Sequence, residues 1–180
     1  MLEMQHKMTE GGLLLPASKI AVGGKYTGQI IRAGEVIDEF EEDNLVVNEG
    51  LNALLGIMFN AQTQISTWYL GLFEGNYTPL ATVTAATITS ASTECTTYTS
   101  ATRPEYVEAA PSGQSITNSA NRASFVFNAT KTIYGAFLVS TSAKSGTTGT
   151  LFSAARFSTA RSVVADDELL LTYTFGASSV

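Results

Sequence analysis

Apolar and polar residues alternate in several short stretches of the chain, and this alternation limits the possible fold more than any other feature. Near the C-terminal end, one face is formed by Leu169, Leu171, Tyr173 and Phe175. Residues 123–128 repeat the same pattern. A period of two places successive side chains on opposite faces of a β-strand. Short strands of this kind predict a mainly β chain, built as a β-sandwich or jelly roll.

The composition agrees with strands whose outer faces carry hydroxyl groups. Charged residues make up only 14% of the 180-residue chain and hydrophobic residues 44%, whereas an average soluble domain carries about 25% charged residues. Ser and Thr outnumber the charged residues. So high an apolar fraction is not typical of disorder, and the length suits one domain.

The charge pattern argues against two classes of partner. The net charge is −6 and the ten basic residues are scattered singly, whereas nucleic-acid-binding proteins cluster Lys and Arg to neutralise phosphates. No stretch approaches the roughly 18 apolar residues of a membrane span. The first residues lack the basic start and apolar run of a signal peptide. We therefore expect neither nucleic acid nor a membrane as partner, and synthesis in a reducing cytoplasm.

One amphipathic helix is predicted over residues 48–60. Its apolar stripe consists of Leu51, Leu54, Leu55, Met58 and Phe59, which follow the spacing of one helix face. Asn48 is the predicted N-cap, and Glu49 lies in the first turn, where a negative charge is favourable. We expect Leu54 and Leu55 to be buried against the sandwich.

Four other segments complete the predicted domain. Residues 26–40 predict a hairpin around Ala33–Gly34. Residues 67–73 and 131–140 are apolar on both faces, which is typical of central strands. Residues 80–102 are rich in Thr, Ala and Ser, and their composition fits either a long surface loop or weak edge strands.

Residues 1–24 differ from the rest because Gly and Pro interrupt them and no regular period runs through them. They predict an irregular N-terminal arm, followed by a β-sandwich domain over residues 25–180. The apolar residues of this arm are Met4, Met8, Leu13, Leu14 and Leu15. So apolar an arm is poorly suited to remain in water, and we expect these residues to contact a partner.

Catalytic chemistry has little support in the residues. The chain has one His, His6, and one Cys, Cys95, which excludes His-pair metal motifs, Cys-based zinc sites and an intrachain disulfide. The acidic runs 41–43 and 166–168 could supply a glycosidase carboxylate pair or a Ca²⁺ site. We favour charged turns and strand edges for both runs. We expect no catalytic residues, no metal and no cofactor, and hence no enzyme.

Aromatic residues crowd one predicted strand and the turn that follows it, with Trp68, Tyr69 and Tyr77 as the candidate contact residues. Such rings could stack on the faces of sugars. They could equally belong to the core and to a subunit interface, where Tyr and Trp are enriched. We favour the structural interpretation, and exposure of the rings distinguishes the two.

Several segments resemble, in their order, a family of small structural proteins of tailed bacteriophages. They are Asp43–Asn52, Trp68–Pro79, Thr102–Tyr106, Ile116–Ser119, Ile133–Phe137 and Leu171–Phe175. The similarity extends over roughly residues 38–175 and includes no catalytic signature. It indicates a virion protein and marks no individual binding residue.

Within that class, the size and predicted fold resemble capsid decoration proteins, also called cement proteins. The resemblance implies a small β-sandwich, often trimeric, that sits outside the shell and reinforces contacts between major capsid protein subunits. It therefore implies a homotrimer on the capsid surface of the virion, made in the host bacterial cytoplasm. The alternative is a carbohydrate-recognition or receptor-binding module of a tail or neck, which would use Trp68, Tyr69 and Tyr77.

Overall fold

The structure is a computed structural model that describes residues 6–8, 14–16 and 20–179. The strands are β1 His6–Met8, β2 Leu14–Pro16, β3 Ile20–Arg32, β4 Glu35–Asp43, β5 Leu45–Val46, β6 Tyr69–Phe73, β7 Glu94–Cys95, β8 Ser115–Thr117, β9 Ala123–Val126, β10 Lys131–Val139, β11 Leu151–Val163 and β12 Glu168–Ser179. The helices are α1 Asn48–Phe59 and α2 Ala85–Ser92. Neither is long and apolar enough to cross a membrane, and the described residues hold no helix that is.

Two antiparallel sheets face each other, which confirms the predicted mainly β sandwich. We call the sheet with strand order β4-β3-β12-β8 sheet I, and in it β9 also pairs with β12. Sheet II has the order β5-β11-β10-β6-β7. The predicted hairpin is present as β3 and β4, although β3 begins at Ile20 and not near Lys25. Its two turn residues, Ala33 and Gly34, both have positive φ, as the tight hairpin turn requires.

The apolar residues that alternate in the sequence fill the space between the two sheets. Leu169, Leu171 and Tyr173 of β12 are buried there, and Phe175 packs at the margin. Sheet II contributes Leu70, Leu72, Ala136 and Leu138 to the same cluster. The predicted central strands β6 and β10 are paired on both sides. Their other face carries Phe73, Phe137 and Val139, which form a second cluster with α2.

Glycines lie opposite phenylalanines at three places in the sheets. Gly28 pairs with Phe40 in sheet I, and Gly71 with Phe137 and Gly135 with Phe73 in sheet II. In each pair the aromatic ring covers the glycine, so that a Cβ there would collide with it. The bare backbone lets large rings lie flat between the layers.

Helix α1 occupies the predicted residues, but the prediction of which face is buried is wrong. The buried residues are Gly50 and Ala53, whereas Leu55 is 55% exposed. A Cβ at Gly50 would collide with the backbone of Phe152, so small residues allow the helix to lie close to β11. The centre of the large apolar stripe is turned roughly 140° away from this contact, at about 100° per residue, and Leu54 at the edge of the stripe is half-buried.

The cap of α1 also differs from the prediction. Val47 is the N-cap residue and no side chain caps the helix, so Asn48 is its first residue. Glu49 lies in the first turn as predicted. Its carboxylate accepts the backbone N–H groups of Ala85 at 2.8 Å and Leu151 at 2.7 Å. One side chain thus joins the starts of α1, α2 and β11.

Residues 80–102 contain helix α2, which the composition did not predict, and also the two-residue edge strand β7, which agrees with the edge-strand alternative. Thr84 donates its backbone N–H to the Thr87 hydroxyl at 3.1 Å, a local bond typical of helix starts. Ala85 and Ile88 are buried against the outer face of sheet II. Burial of Ile88, together with the Glu49 contact, holds a segment whose own helix propensity is weak.

A buried ion pair fixes the loops beside β7. Arg103 donates to both carboxylate oxygens of Glu94, at 2.7 and 2.8 Å, and both side chains are at most 2% exposed. Arg103 also donates to the carbonyls of Thr141 and Gly146, and Ser145 donates its backbone N–H to Glu94. Additional hydrogen bonds of this kind are needed to offset the cost of burying two charges.

Candidate partner-binding surface

The candidate surface lies at the end of the sandwich that α1 covers. Three large apolar side chains of α1 point into solvent there: Leu55 at 55% exposure, Met58 at 65% and Phe59 at 79%. We call these three residues the α1 face. Glu49 is the only charged residue of the helix. A helix that is apolar on nearly every side is normally buried, so the α1 face is suited to contact another surface.

Beside the helix lies a cavity of about 250 Å³, which we call the Trp68 pocket. Its wall residues from α1 are Ala53, Leu54 and Ile57, and those from the sheets and the segments between strands are Gln64, Ile65, Ser66, Trp68, Tyr106, Glu108, Ile116, Leu138, Phe152, Tyr173 and Phe175. The pocket therefore opens into the space between the two sheets. It separates the buried side of α1 from the margin of the core.

Aromatic contacts fix the shape of the Trp68 pocket. The Trp68 ring meets Phe152 edge to face at 5.6 Å, and Phe152 meets Phe175 in the same way at 5.0 Å. Tyr106 is held beside Trp68 because its backbone N–H donates to the Trp68 carbonyl at 2.8 Å. Edge-to-face geometry is a favoured arrangement for packed rings, so these walls are formed before any partner binds.

The hydroxyl of Tyr106 is buried and has no hydrogen-bond partner among the described residues. Burial raises the pKa of Tyr106 well above its usual range, with the neighbouring Tyr173 adding to the rise. The phenol is therefore neutral at physiological pH. A neutral phenol leaves Glu108 as the one charged group in the pocket wall.

The predicted aromatic contact residues do not form one platform. Trp68 packs with the cluster between the sheets, whereas Tyr77 packs against Phe73 in the cluster on the outer face of sheet II. Tyr69 alternates with Leu70 in β6 and therefore faces away from the sandwich interior. All three rings are half-buried. The structure thus separates Trp68 from Tyr69 and Tyr77 by the thickness of a sheet.

The structure describes only some of the predicted contact residues of the arm. Met4 and Leu13 lie outside the described residues. Met8 lies in β1 and pairs with Leu14 in β2, and Leu15 pairs with Lys7. The arm leaves the domain at Ile20, where β3 begins.

The acidic runs join parts of the sandwich to each other. Glu42 accepts the backbone N–H of Ser158 at 2.7 Å, which links the edge of sheet I to β11. Asp167 is buried and accepts from both Arg32 and the backbone of Val164. Within the described ranges, no three His, Cys, Asp or Glu residues lie close enough together to hold a metal ion.

Sequence reasoning missed the α1 face and the Trp68 pocket as sites. The one signal for the α1 face in the sequence is the composition of α1. A helix with a single charged residue has little polar surface to present to solvent, which indicates a contact with another surface. The pocket unites α1, β8, β11 and β12, and its residues are up to about 120 positions apart in the chain. No local pattern marks such an arrangement.

The chain was compared with known proteins. No protein-family model matches it. The search of curated proteins also found no match.

Proposed function

We propose that this protein is a non-enzymatic structural protein of a tailed-bacteriophage virion. It binds the outside of the capsid, stabilises contacts between major capsid protein subunits as a cement protein, and assembles as a homotrimer. The resemblance of residues 38–175 to small phage structural proteins supports this class. The β-sandwich agrees with the fold that the resemblance implies.

The observation that carries the proposal is the exposed α1 face. Leu55, Met58 and Phe59 lie together at one end of a small domain, on a helix whose only charge is at its first turn. Apolar surface of this kind marks a contact with another protein. A protein that acts by adhesion needs such a surface.

The arm supplies the second proposed contact. Because β1 and β2 pair with each other, the part of the arm that can extend away from Ile20 is residues 14–19, which span at most about 20 Å. A domain of this size has a radius of gyration of about 16 Å. The arm can therefore reach a subunit that adjoins its own domain while the α1 face is bound.

The test uses phage heads assembled without this protein. Purified full-length chain is added, and the heads are separated from free chain by gradient sedimentation. We expect the chain to sediment with the heads and to raise the temperature at which they lose their DNA. A chain that stays at the top of the gradient at every concentration contradicts the proposal.

The same heads distinguish a capsid protein from a tail component. We expect binding to mature capsids that carry no tail, because the proposed partner is the major capsid protein. Binding restricted to isolated tails or necks would contradict the capsid assignment. It would instead favour a receptor-binding module.

A further inference from the structure

We infer that the Trp68 pocket binds the leucine run Leu13–Leu15 from the arm of a second copy of this chain. The inference deepens the proposed homo-oligomer and rests on it. It assigns the leucine run, which pairs with β1 through Leu14 and Leu15, to a contact between copies.

The lining of the pocket selects an apolar occupant. Trp68, Phe152, Phe175 and Ile116 present rings and an aliphatic chain, and Glu108 is the only charged wall residue. The cavity of about 250 Å³ exceeds the roughly 150 Å³ of an engineered apolar cavity that binds benzene. More than one aliphatic side chain fits in that space. The three consecutive leucines are the most apolar run of the arm.

The strand pair that leads to the arm, β3 with β12, passes beside the Trp68 pocket. Gly24 of β3 pairs with Phe175 of β12, and the two strands stay paired as far as Ile20 and Ser179. These four further residues carry the pair about 13 Å beyond Phe175. Ile20 is 79% exposed and Ser179 is also exposed. The paired segments Ile20–Gly24 and Phe175–Ser179, which we call the ribbon, therefore extend past the body of the sandwich.

The direction of the ribbon favours a second copy as the source of the leucines. Ile20, where β3 begins, is the residue of this ribbon farthest from the chain's own pocket. Leu15 and Leu13 lie five and seven residues before Ile20, which corresponds to about 16 and 23 Å of extended chain. A second copy whose pocket lies within this distance of the ribbon tip can receive the leucine run. A head-to-tail contact of this kind forms a closed ring of three copies when its rotation closes after three steps, as the proposed homotrimer requires.

The first experiment uses the fluorescence of Trp68, which is the only tryptophan of the chain. Three serines replace the run in one full-length variant, Leu13→Ser, Leu14→Ser and Leu15→Ser. We expect a red shift of the emission and stronger quenching by acrylamide, because the pocket loses its cover. The control changes Val36→Thr and Ile37→Thr, two exposed apolar residues of β4, and should leave emission unchanged. Unchanged emission in the leucine variant, or an equal shift in both, overturns the inference.

The second experiment tests exchange between copies in chains that carry Cys95→Ser. One chain carries Leu14→Cys, and a second, larger tagged chain carries Gln64→Cys at the exposed rim of the pocket. Oxidation of the mixture should link the two chains. A control chain with Glu35→Cys, at the start of β4 and opposite Arg32 at the far end of β3, should not become linked. Absence of the link between the two chains overturns the exchange. A further chain carries both Leu14→Cys and Gln64→Cys. A link that forms only within this chain also overturns the exchange.

These outcomes are separate from the proposed capsid binding. Purified chains that form the link but do not sediment with phage heads contradict the proposed function and support the exchanged arm. Chains that sediment with heads but do not form the link support the function and contradict the exchange.

Discussion

The loops around Arg103 bury charged side chains, whereas the end of the sandwich that α1 covers exposes apolar side chains. At Arg103 two charged side chains are buried, and carbonyl and N–H groups of the surrounding loop complete their hydrogen bonds. At α1 three large apolar side chains remain in solvent. Burying a charge is costly unless it is paired and hydrogen-bonded, and exposing an apolar cluster is costly unless a partner covers it. The first region therefore contributes stability, and the second is the binding surface that we propose.

The largest effect is expected at the buried pair. Arg103→Ala leaves the Glu94 carboxylate buried without its partner, and removal of one member of such a pair costs about 3–5 kcal/mol. Denaturant unfolding measures the loss. The double variant Glu94→Gln, Arg103→Met removes both charges and should be the more stable of the two. A loss no larger than that of an exposed substitution would show that the pair does not hold these loops.

A slightly smaller loss is expected at α2. Ile88 is fully buried against the outer face of sheet II, so Ile88→Ala should cost about 2–5 kcal/mol. Thermal unfolding measures it, and Thr89→Ala on the same helix is the control. Equal stability of the two variants would mean that α2 does not cover the sheet.

The sequence predicted what local periodicity determines. The alternation at β9 and β12 marked the buried faces, and the Ala33–Gly34 turn marked the hairpin. The face of α1 was wrong because the prediction counted large side chains, whereas close packing against Phe152 required the small Gly50 and Ala53. Helix α2 was missed because its stability comes from Glu49 and sheet II, which lie far away in the chain.

Acid should weaken the region around Asp167 while the α1 face is unaffected. The hydrogen bonds from Arg32 lower the pKa of Asp167. A carboxyl with a lowered folded-state pKa contributes stability above its unfolded value, near 3.9, and this contribution is lost as the pH falls through the folded-state pKa. Unfolding free energies measured from pH 7 to pH 2 should therefore fall less below pH 4 in Asp167→Asn than in the native chain. Parallel profiles would contradict this assignment.

The smallest effect on stability is expected at the α1 face. Leu55 was predicted to be a core residue, but its exposure places Leu55→Ala within about 0.5 kcal/mol of the native chain. Thermal unfolding of the purified protein measures this difference. A loss of about 2 kcal/mol or more, the range for a buried leucine, would return Leu55 to the core and remove it from the binding surface.

The most direct test of the account is the capsid binding of a chain whose α1 face is polar. The variant carries Leu55→Gln, Met58→Gln and Phe59→Gln, which keep good helix formers on the surface. The control carries Val36→Thr and Ile37→Thr, which alter two exposed apolar residues of β4. Both are compared with the native chain for retention on phage heads after gradient sedimentation. The account predicts that the α1 variant folds but is lost from the heads while the control is retained, and equal retention of the two variants would contradict it.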